Sequence, residues 1–385
     1  MIIGLLLRNI KTYQGINYIP ITNKDKLTSF VGNNGIGKSA ILESLDSYFN
    51  DRNWNFNISS KRSGLGTAHP YICPIFLIEK TKISAEQLIT AEKLSNIIWS
   101  IQESDIPNIN RPNFRNFQSQ RILLERDFSS ENYFLLPIGI DYNSHINLSI
   151  FNTYKVFNEF YSLDDEEDER NFSENELNDT FKNLYLEIKQ LYQYIYIPKD
   201  IDPTTFAKLE TREIQALMGE TLHQIIERQV SNAQITQINR SLNEFLETLA
   251  TELENYSFRT NTDRQLNLRK HDIYNLITDA FFSIRKLHKK QGDHWLDISY
   301  LSSGEKQKAI IDITHNLIKN HRQDNDHLII AVDEPESSLH ISACFEHFIK
   351  IAEISDSTHQ FLFTTHWYAF LPILEKCSLT SITRK

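Results

Sequence analysis

The stretch "GNNGIGKS", Gly32 to Ser39, decides the fold. It matches G-x-x-x-x-G-K-[ST] in full, with the apolar "LTSFV" of Leu27 to Val31 directly before it. After it comes "AILESLDSYF", whose Ile41, Leu42, Leu45 and Phe49 recur at helical spacing. Strand, glycine-rich loop and helix in that order form a phosphate cradle, because backbone N–H groups from Asn33 to Lys38 converge where the positive end of the helix dipole points. The expected nucleotide-binding set is Gly32, Asn33, Asn34, Gly35, Ile36, Gly37, Lys38, Ser39 and Ala40. Lys38 is expected to reach the β- and γ-phosphate oxygens and Ser39 to offer its hydroxyl to a metal, so ATP and Mg²⁺ are the cofactors the motif implies.

Working outward, "HLIIAVDEPESSLH", His327 to His340, holds five apolar residues, Leu328 to Val332, that read as a buried parallel strand. Asp333 then emerges at its carboxyl end, where open α/β sheets bind ligands. It is the expected second metal-shell residue beside Ser39. Glu334 is the expected acceptor of a proton from the attacking water. "FLFTTH", Phe361 to His366, is another apolar strand, and it ends in a polar Thr-Thr-His. A lone histidine is usually structural, but this one closes the strand that follows Asp333, so His366 joins Glu334 and Lys38 as an expected catalytic residue.

The fourth piece is "YLSSGEKQ", Tyr300 to Gln307, followed by the helical "KAIIDITHNLI". Taken alone, Ser302 and Glu305 have the spacing of a helix capping box. Placed before the Asp333 strand, "LSSGE" resembles the signature motif of ABC-type ATPases. The resemblance implies that Ser302 and the N–H of Gly304 meet the γ-phosphate held by a partner chain's lysine loop, so that two-fold symmetry creates two composite sites. The capping and signature readings are compatible.

Within that superfamily, "LLLRNIKTYQG", the "DEPESSLH" wording and a short insertion look like the OLD, RecF and SMC-like branch, and the layout resembles ATPase subunits of antiphage systems of the Septu, retron-associated and PARIS types. The motifs cover the two ends, about Met1 to Phe49 and Leu296 to His366; the centre matches by layout alone. The resemblance implies an α/β fold: a P-loop ABC-ATPase head with a mixed sheet flanked by helices, an antiparallel β subdomain, and an inserted helical or short coiled-coil hairpin. It places Ser337 and Ser338 in a loop at the dimer interface, and Arg8, Asn9 and Lys11 near the adenine. A Q-loop glutamine is not found where the branch carries one, since "IFLIEK" is followed by none until Gln87, and neither Gln87 nor Gln102 is assigned. The chain ends soon after His366, so any nuclease or toxin chemistry is expected in a separate protein.

Three parts are expected: 1–200 with the phosphate loop, 201–256 as the helical insertion, and 257–385 with the signature, Asp333 and His366. "ICPIFLIEK" and "YIYIP" read as strands, and "SAEQLITAEKLSNIIWSI" as a helix capped by Ser84. Pro107 to Tyr142 reads as polar and irregular around one strand, "YFLLPIGI". Inside it, Arg111, Arg115, Arg121 and Arg126 interleave with Phe114 and Phe117. That pattern serves stacking on single-stranded nucleic acid or, more plainly, surface arginines. Ile238, Leu242, Phe245 and Leu249 step by three and four, which predicts a coiled-coil seam about two heptads long in a hairpin spanning Pro203 to Glu254.

The net charge of −10 argues against a surface that wraps nucleic acid, although a local basic patch is compatible with it. The acidic run Asp164 to Glu169 reads as a solvated loop, with an acidic docking strip or a DNA mimic as its rival. Cys73, Cys344 and Cys377 show no paired spacing, which points to neither a disulfide framework nor a zinc site. The longest apolar run, Ile2 to Leu7, is too short to cross a bilayer, so a cytoplasmic address is expected.

The leading expectation is a homodimeric or larger even-numbered ATPase that senses and scaffolds in antiphage defence and controls a separate effector. Its rivals are a RecF- or SMC-like repair ATPase that binds DNA directly, and a module that binds ATP structurally and sequesters a toxin.

Overall fold

The computed structural model describes residues 1–57, 69–163, 170–201, 228–252, 287–320, 327–337, 339–369 and 376–383, with single positions or pairs between 267 and 284 and at 374. The acidic run 164–169, the first part of the expected hairpin and Ser338 lie outside the described residues. The chain divides into two compact units, 1–200 with 324–385, and 201–323. Residues 257–323 therefore group with the insertion, in a partition drawn by packing rather than by motif.

The first unit holds two sheets. One is antiparallel, with β1 (Ile2–Arg8), β2 (Ile16–Pro20), β4 (Tyr71–Glu79), β6 (Gly139–Asp141) and β7 (Ile146–Asn147) in the order β2-β1-β4-β6-β7, and β5 (Tyr133–Pro137) also on β4. The other is parallel, with β3 (Leu27–Val31), β8 (Gln193–Ile197), β11 (Leu328–Asp333), β12 (Gln360–Thr365) and β13 (Cys377–Ser381) in the order β13-β3-β12-β11-β8. Parallel strands covered on both faces are rich in apolar residues, and β3, β11 and β12 are buried throughout, the polar Thr28, Ser29, Gln360, Thr364 and Thr365 included. The expected α/β head with an antiparallel β subdomain is the fold observed; the main sheet, expected to be mixed, is parallel among the described strands.

Gln360 joins the two sheets. It is fully buried at the start of β12; its Oε1 accepts from Ile2 N at 2.9 Å and its Nε2 donates to Ile2 O at 2.8 Å. One amide side chain thus satisfies both backbone groups of a residue in β1, groups that would otherwise be orphaned in a dry interior.

Two local expectations are corrected. Ser84 stands at the N-cap of the helix Ala85–Ser100, but its side chain makes no cap hydrogen bond; Ser84 N and Oγ both donate to the carboxylate of Glu187, at 2.6 and 2.8 Å. The segment read as irregular contains the helix Arg111–Leu124, opened by a proline in its first turn. Its Phe114 and Phe117 are fully buried and pack on the ring of Phe151, so they offer no stacking platform. Arg121 is buried too, and its Nη1 donates to the carbonyls of Ile98 and Ile101 at 2.9 Å each, capping the carboxyl end of the helix before it. Burial of the aromatic face, with one arginine spent on a helix end, removes the single-strand reading from this segment.

In the second unit the described elements are the helix Asn232–Glu252, the hairpin of β9 (His288–Gln291) and β10 (His294–Asp297), the 3₁₀ turn Ile298–Tyr300, and the helix Ser303–Asn320. The expected seam residues Ile238, Leu242 and Phe245 lie on the first of these helices and are exposed. The three cysteines are free thiols, Cys73 and Cys344 buried.

Candidate functional site

The carboxyl ends of β3, β12 and β11 lie side by side because the strands are parallel and β12 sits between the other two. Register puts Asp333 opposite Thr364 and Val31 opposite Thr365. Residues far apart in the chain therefore end on one rim, with the glycine loop directly after β3.

The loop is shaped by close contacts that exclude side chains. At Gly37, with φ 113°, a Cβ would lie 2.4 Å from Thr12 Oγ1 and 3.1 Å from the ring of Tyr13, whose hydroxyl donates to Gly37 O at 3.2 Å. At Gly32 a Cβ would lie 2.6 Å from the carbonyl oxygen of Ile382. Asn33, Asn34 and Gly35 are exposed, Ile36 and Gly37 half-buried, and Lys38 and Ala40 buried. The helix Lys38–Asn50 starts directly behind Gly37. Lys38 Nζ donates to the carbonyls of Gly32 at 2.8 Å and Asn33 at 3.0 Å, so the ammonium is held over its own loop.

Across the rim, Ser39 Oγ donates to Asp333 Oδ1 at 2.9 Å, and Thr364 Oγ1 donates to the same oxygen at 2.5 Å. Burial raises the pKa of Asp333, and these two hydroxyls partly offset it. A buried carboxylate beside the serine of a phosphate loop fits Mg²⁺, whose charge would compensate the desolvation that protein hydroxyls only reduce. Ser39 would supply the oxygen ligand, and Asp333 would hold that hydroxyl in place and complete the outer shell.

Glu334, the next residue, is buried with φ 44°, a left-handed conformation uncommon outside glycine, asparagine and aspartate. Its backbone N donates to Thr364 Oγ1 at 2.9 Å, so one threonine positions both acidic residues. The carboxylate of Glu334 is 2.7 Å from Lys199 Nζ and 3.7 Å from His366 Nδ1. The contact with Glu334 is the main cause of a raised Lys199 pKa. Glu336 Oε1 accepts from Thr365 Oγ1 at 2.6 Å and from His366 N at 3.2 Å, and burial raises its pKa in turn. His366 is thus tied through its backbone to the acidic turn.

Lys38, Ser39, Asp333, Glu334 and His366 are all brought to this rim. Ser302 and Gly304 belong to the second unit, at the start of the helix Ser303–Asn320. There Ser302 N and Oγ donate to Glu305 Oε2, at 3.1 and 2.8 Å, and that pairing lowers the pKa of Glu305. Sequence reasoning did not identify Lys199, Thr364 and Glu336. Thr364 sits in the "FLFTTH" already quoted, two residues before His366. Lys199 had a signal of its own, a cation directly after the buried strand "YIYIP" and just before the chain leaves the first unit. Among the described residues no helix is long and apolar enough to cross a membrane.

No curated protein matches the chain. Among solved structures, the chain is similar to the SmcHead bound to the C-winged helix domain of ScpA, at 15% identity and a TM-score of 0.40 over 96% of this chain and 91% of that one. It is similar to the SMC head domain from Thermotoga maritima at 13% identity and a TM-score of 0.35, over 98% and 93%. It is also similar to Stu0660 of Streptococcus thermophilus at 11% identity and a TM-score of 0.33, over 94% and 68%. A family model, the AAA ATPase domain, matches residues 1–368, and the chain belongs to that family.

Proposed function

We propose that the chain binds and hydrolyses Mg–ATP, and that it does so in pairs, each nucleotide lying between the phosphate loop of one chain and the Ser302–Gly304 turn of another. The observation that carries the reading is the 2.9 Å contact from Ser39 to Asp333, which joins the loop's serine to the acidic strand end. Lys38 and the loop amides bind the phosphates and orient them. Glu334 accepts the proton of the attacking water, in the low-dielectric setting its burial gives. Bound Mg²⁺ supplies charge neutralisation on the phosphates. Thr364 keeps Asp333 and Glu334 aimed from one anchor, and Glu336 fixes the start of the turn that carries His366.

A triphosphate that touches both chains binds the closed pair better than separate ones, so its presence shifts the population toward closure, and its hydrolysis reverses the bias. The adopted role for the whole assembly is a sensor and scaffold of antiphage defence whose nucleotide state controls a separate nuclease or toxin; the motif wording "DEPESSLH", the amino-terminal "LLLRNIKTYQG" and the short insertion support it.

Complementation tests the shared site. Lys38→Ala and Ser302→Arg should each abolish phosphate release alone, while mixing the two should restore it, since each mixed pair keeps one site with an intact loop and an intact turn. Activity that stays absent in the mixture, with both variants folded and pairing, would show that the turn does not act on a neighbour's nucleotide. Copurification from the native source followed by mass spectrometry tests the effector; recovery of the ATPase by itself would count against the scaffold role.

A further inference from the structure

A second cluster of ligating side chains lies in the first unit, at the hairpin of β6 and β7. Asp141 closes β6 and His145 stands just before β7, the turn between them fixed by Asp141 N to His145 O at 2.9 Å and by Ser144 at φ 64°. Asp141 is buried. Its Oδ1 accepts from the backbone N of Asn143 at 2.8 Å and of His145 at 2.9 Å, which leaves Oδ2 aimed at the imidazole. The third group, Glu174, opens the helix Glu174–Leu191, whose amino end is locked by the Ser173–Glu176 capping box. Asn178 of that helix accepts from Ile146 N at 2.9 Å, so hairpin and helix are already joined beside the cluster.

The three side chains converge at the spacing of metal ligands. His145 Nδ1 lies 3.5 Å from Asp141 Oδ2 and 3.7 Å from Glu174 Oε2; it is buried as an atom and makes no hydrogen bond. One atom from each of the three residues falls within 4.8 Å of the other two. Donors bound about 2.1 Å from a common tetrahedral ion stand about 3.4 Å apart. The two separations from His145 Nδ1, 3.5 and 3.7 Å, are close to that spacing. A divalent charge would also compensate the buried carboxylate of Asp141, for which the structure otherwise offers two backbone N–H groups on one oxygen.

We propose that Asp141, His145 and Glu174 form a site for a borderline divalent cation of the zinc class, distinct from the phosphate-loop magnesium. One imidazole nitrogen and two carboxylate oxygens suit Zn²⁺ or Co²⁺. Glu174 and the outer side of His145 are exposed, so solvent completes the shell and the ion exchanges. Its function is to pin the hairpin to the helix, adding a closed loop across a stretch that includes the acidic run.

The test is a Zn²⁺ titration of the full chain by calorimetry, in excess Mg²⁺ to occupy the nucleotide site, followed by Co²⁺ absorption. Expected are one equivalent of Zn²⁺, a higher melting temperature with Zn²⁺, and Co²⁺ bands without the intense thiolate transition that cysteine ligation gives. Glu174→Gln, at an exposed side chain, and His145→Ala, at a half-buried one, should each weaken binding at least about tenfold and remove the thermal shift. Absence of saturable binding, affinity unchanged by both substitutions, or a thiolate band would each overturn the site.

Discussion

Glu334→Gln separates binding from chemistry at this site. The substitution keeps the side chain's length and volume. It also keeps the backbone hydrogen bond to Thr364, so the left-handed turn at φ 44° is held as before. What is lost is the negative charge 2.7 Å from Lys199 and 3.7 Å from His366, and with it the ability to take a proton. Removing a positioned base lowers turnover by about 10²–10⁴-fold, equivalent to about 3–5 kcal/mol in the barrier. Nucleotide affinity should change far less than turnover, because Lys38, Ser39 and the loop amides, which bind the phosphates and metal, are kept. Stability should shift by no more than about 1 kcal/mol, since Lys199 is 41% exposed and solvent screens the lost pair. Phosphate release under single-turnover conditions, a fluorescent ATP analogue for affinity, and sedimentation with ATP for pairing measure the three effects. The variant should hold ATP unhydrolysed and accumulate as closed pairs. Turnover within about twofold of the parent protein would refute Glu334 as the base, and a large loss of affinity would place the residue in binding instead.

Three further outcomes follow from the same geometry. Burial sets the Asp333 pKa above its unfolded value, so the native state holds that proton more tightly; this contribution favours the fold at acid pH and is lost as pH rises from the ordinary carboxylate range through the raised value. Asp333→Asn should therefore melt higher than the parent at neutral pH in Mg²⁺-free buffer, lose that advantage toward acid pH, and lose Mg–ATP binding; calorimetry across pH measures both. Gly37→Ala should cost about 1–3 kcal/mol in urea unfolding and abolish nucleotide binding, because its Cβ meets Thr12 Oγ1 at 2.4 Å with φ at 113°, whereas Gly35→Ala, with open space around a φ of 73°, should be milder. Gln360→Leu orphans Ile2 N and Ile2 O in a buried position and should cost about 2–5 kcal/mol by the same measurement.

Much of the fold was legible where one residue type answers one local demand. "GNNGIGKS" states its own conformation, since Gly37 stands where Thr12 leaves no room for a side chain, and the runs at β3, β11 and β12 read as buried strands because parallel strands bury both faces. The helix Arg111–Leu124 was missed although Phe114, Phe117, Arg121 and Leu124 have helical spacing; an arginine on the buried face disguised the pattern, and only the carbonyls of Ile98 and Ile101 explain it.

By itself, then, the sequence determined that a phosphate loop, an acidic strand end and a polar third strand exist, and which residues close each of them. Tertiary structure decided which of them touch. Placing β12 between β3 and β11 is a matter of sheet order, and it lets Thr364 reach Asp333 and the backbone of Glu334, while β8 on the far side of β11 delivers Lys199 to the Glu334 carboxylate. Local motifs are written by backbone geometry and burial within a few residues. Contacts between strand ends distant in the chain depend on the register of whole strands, which no short stretch of sequence encodes.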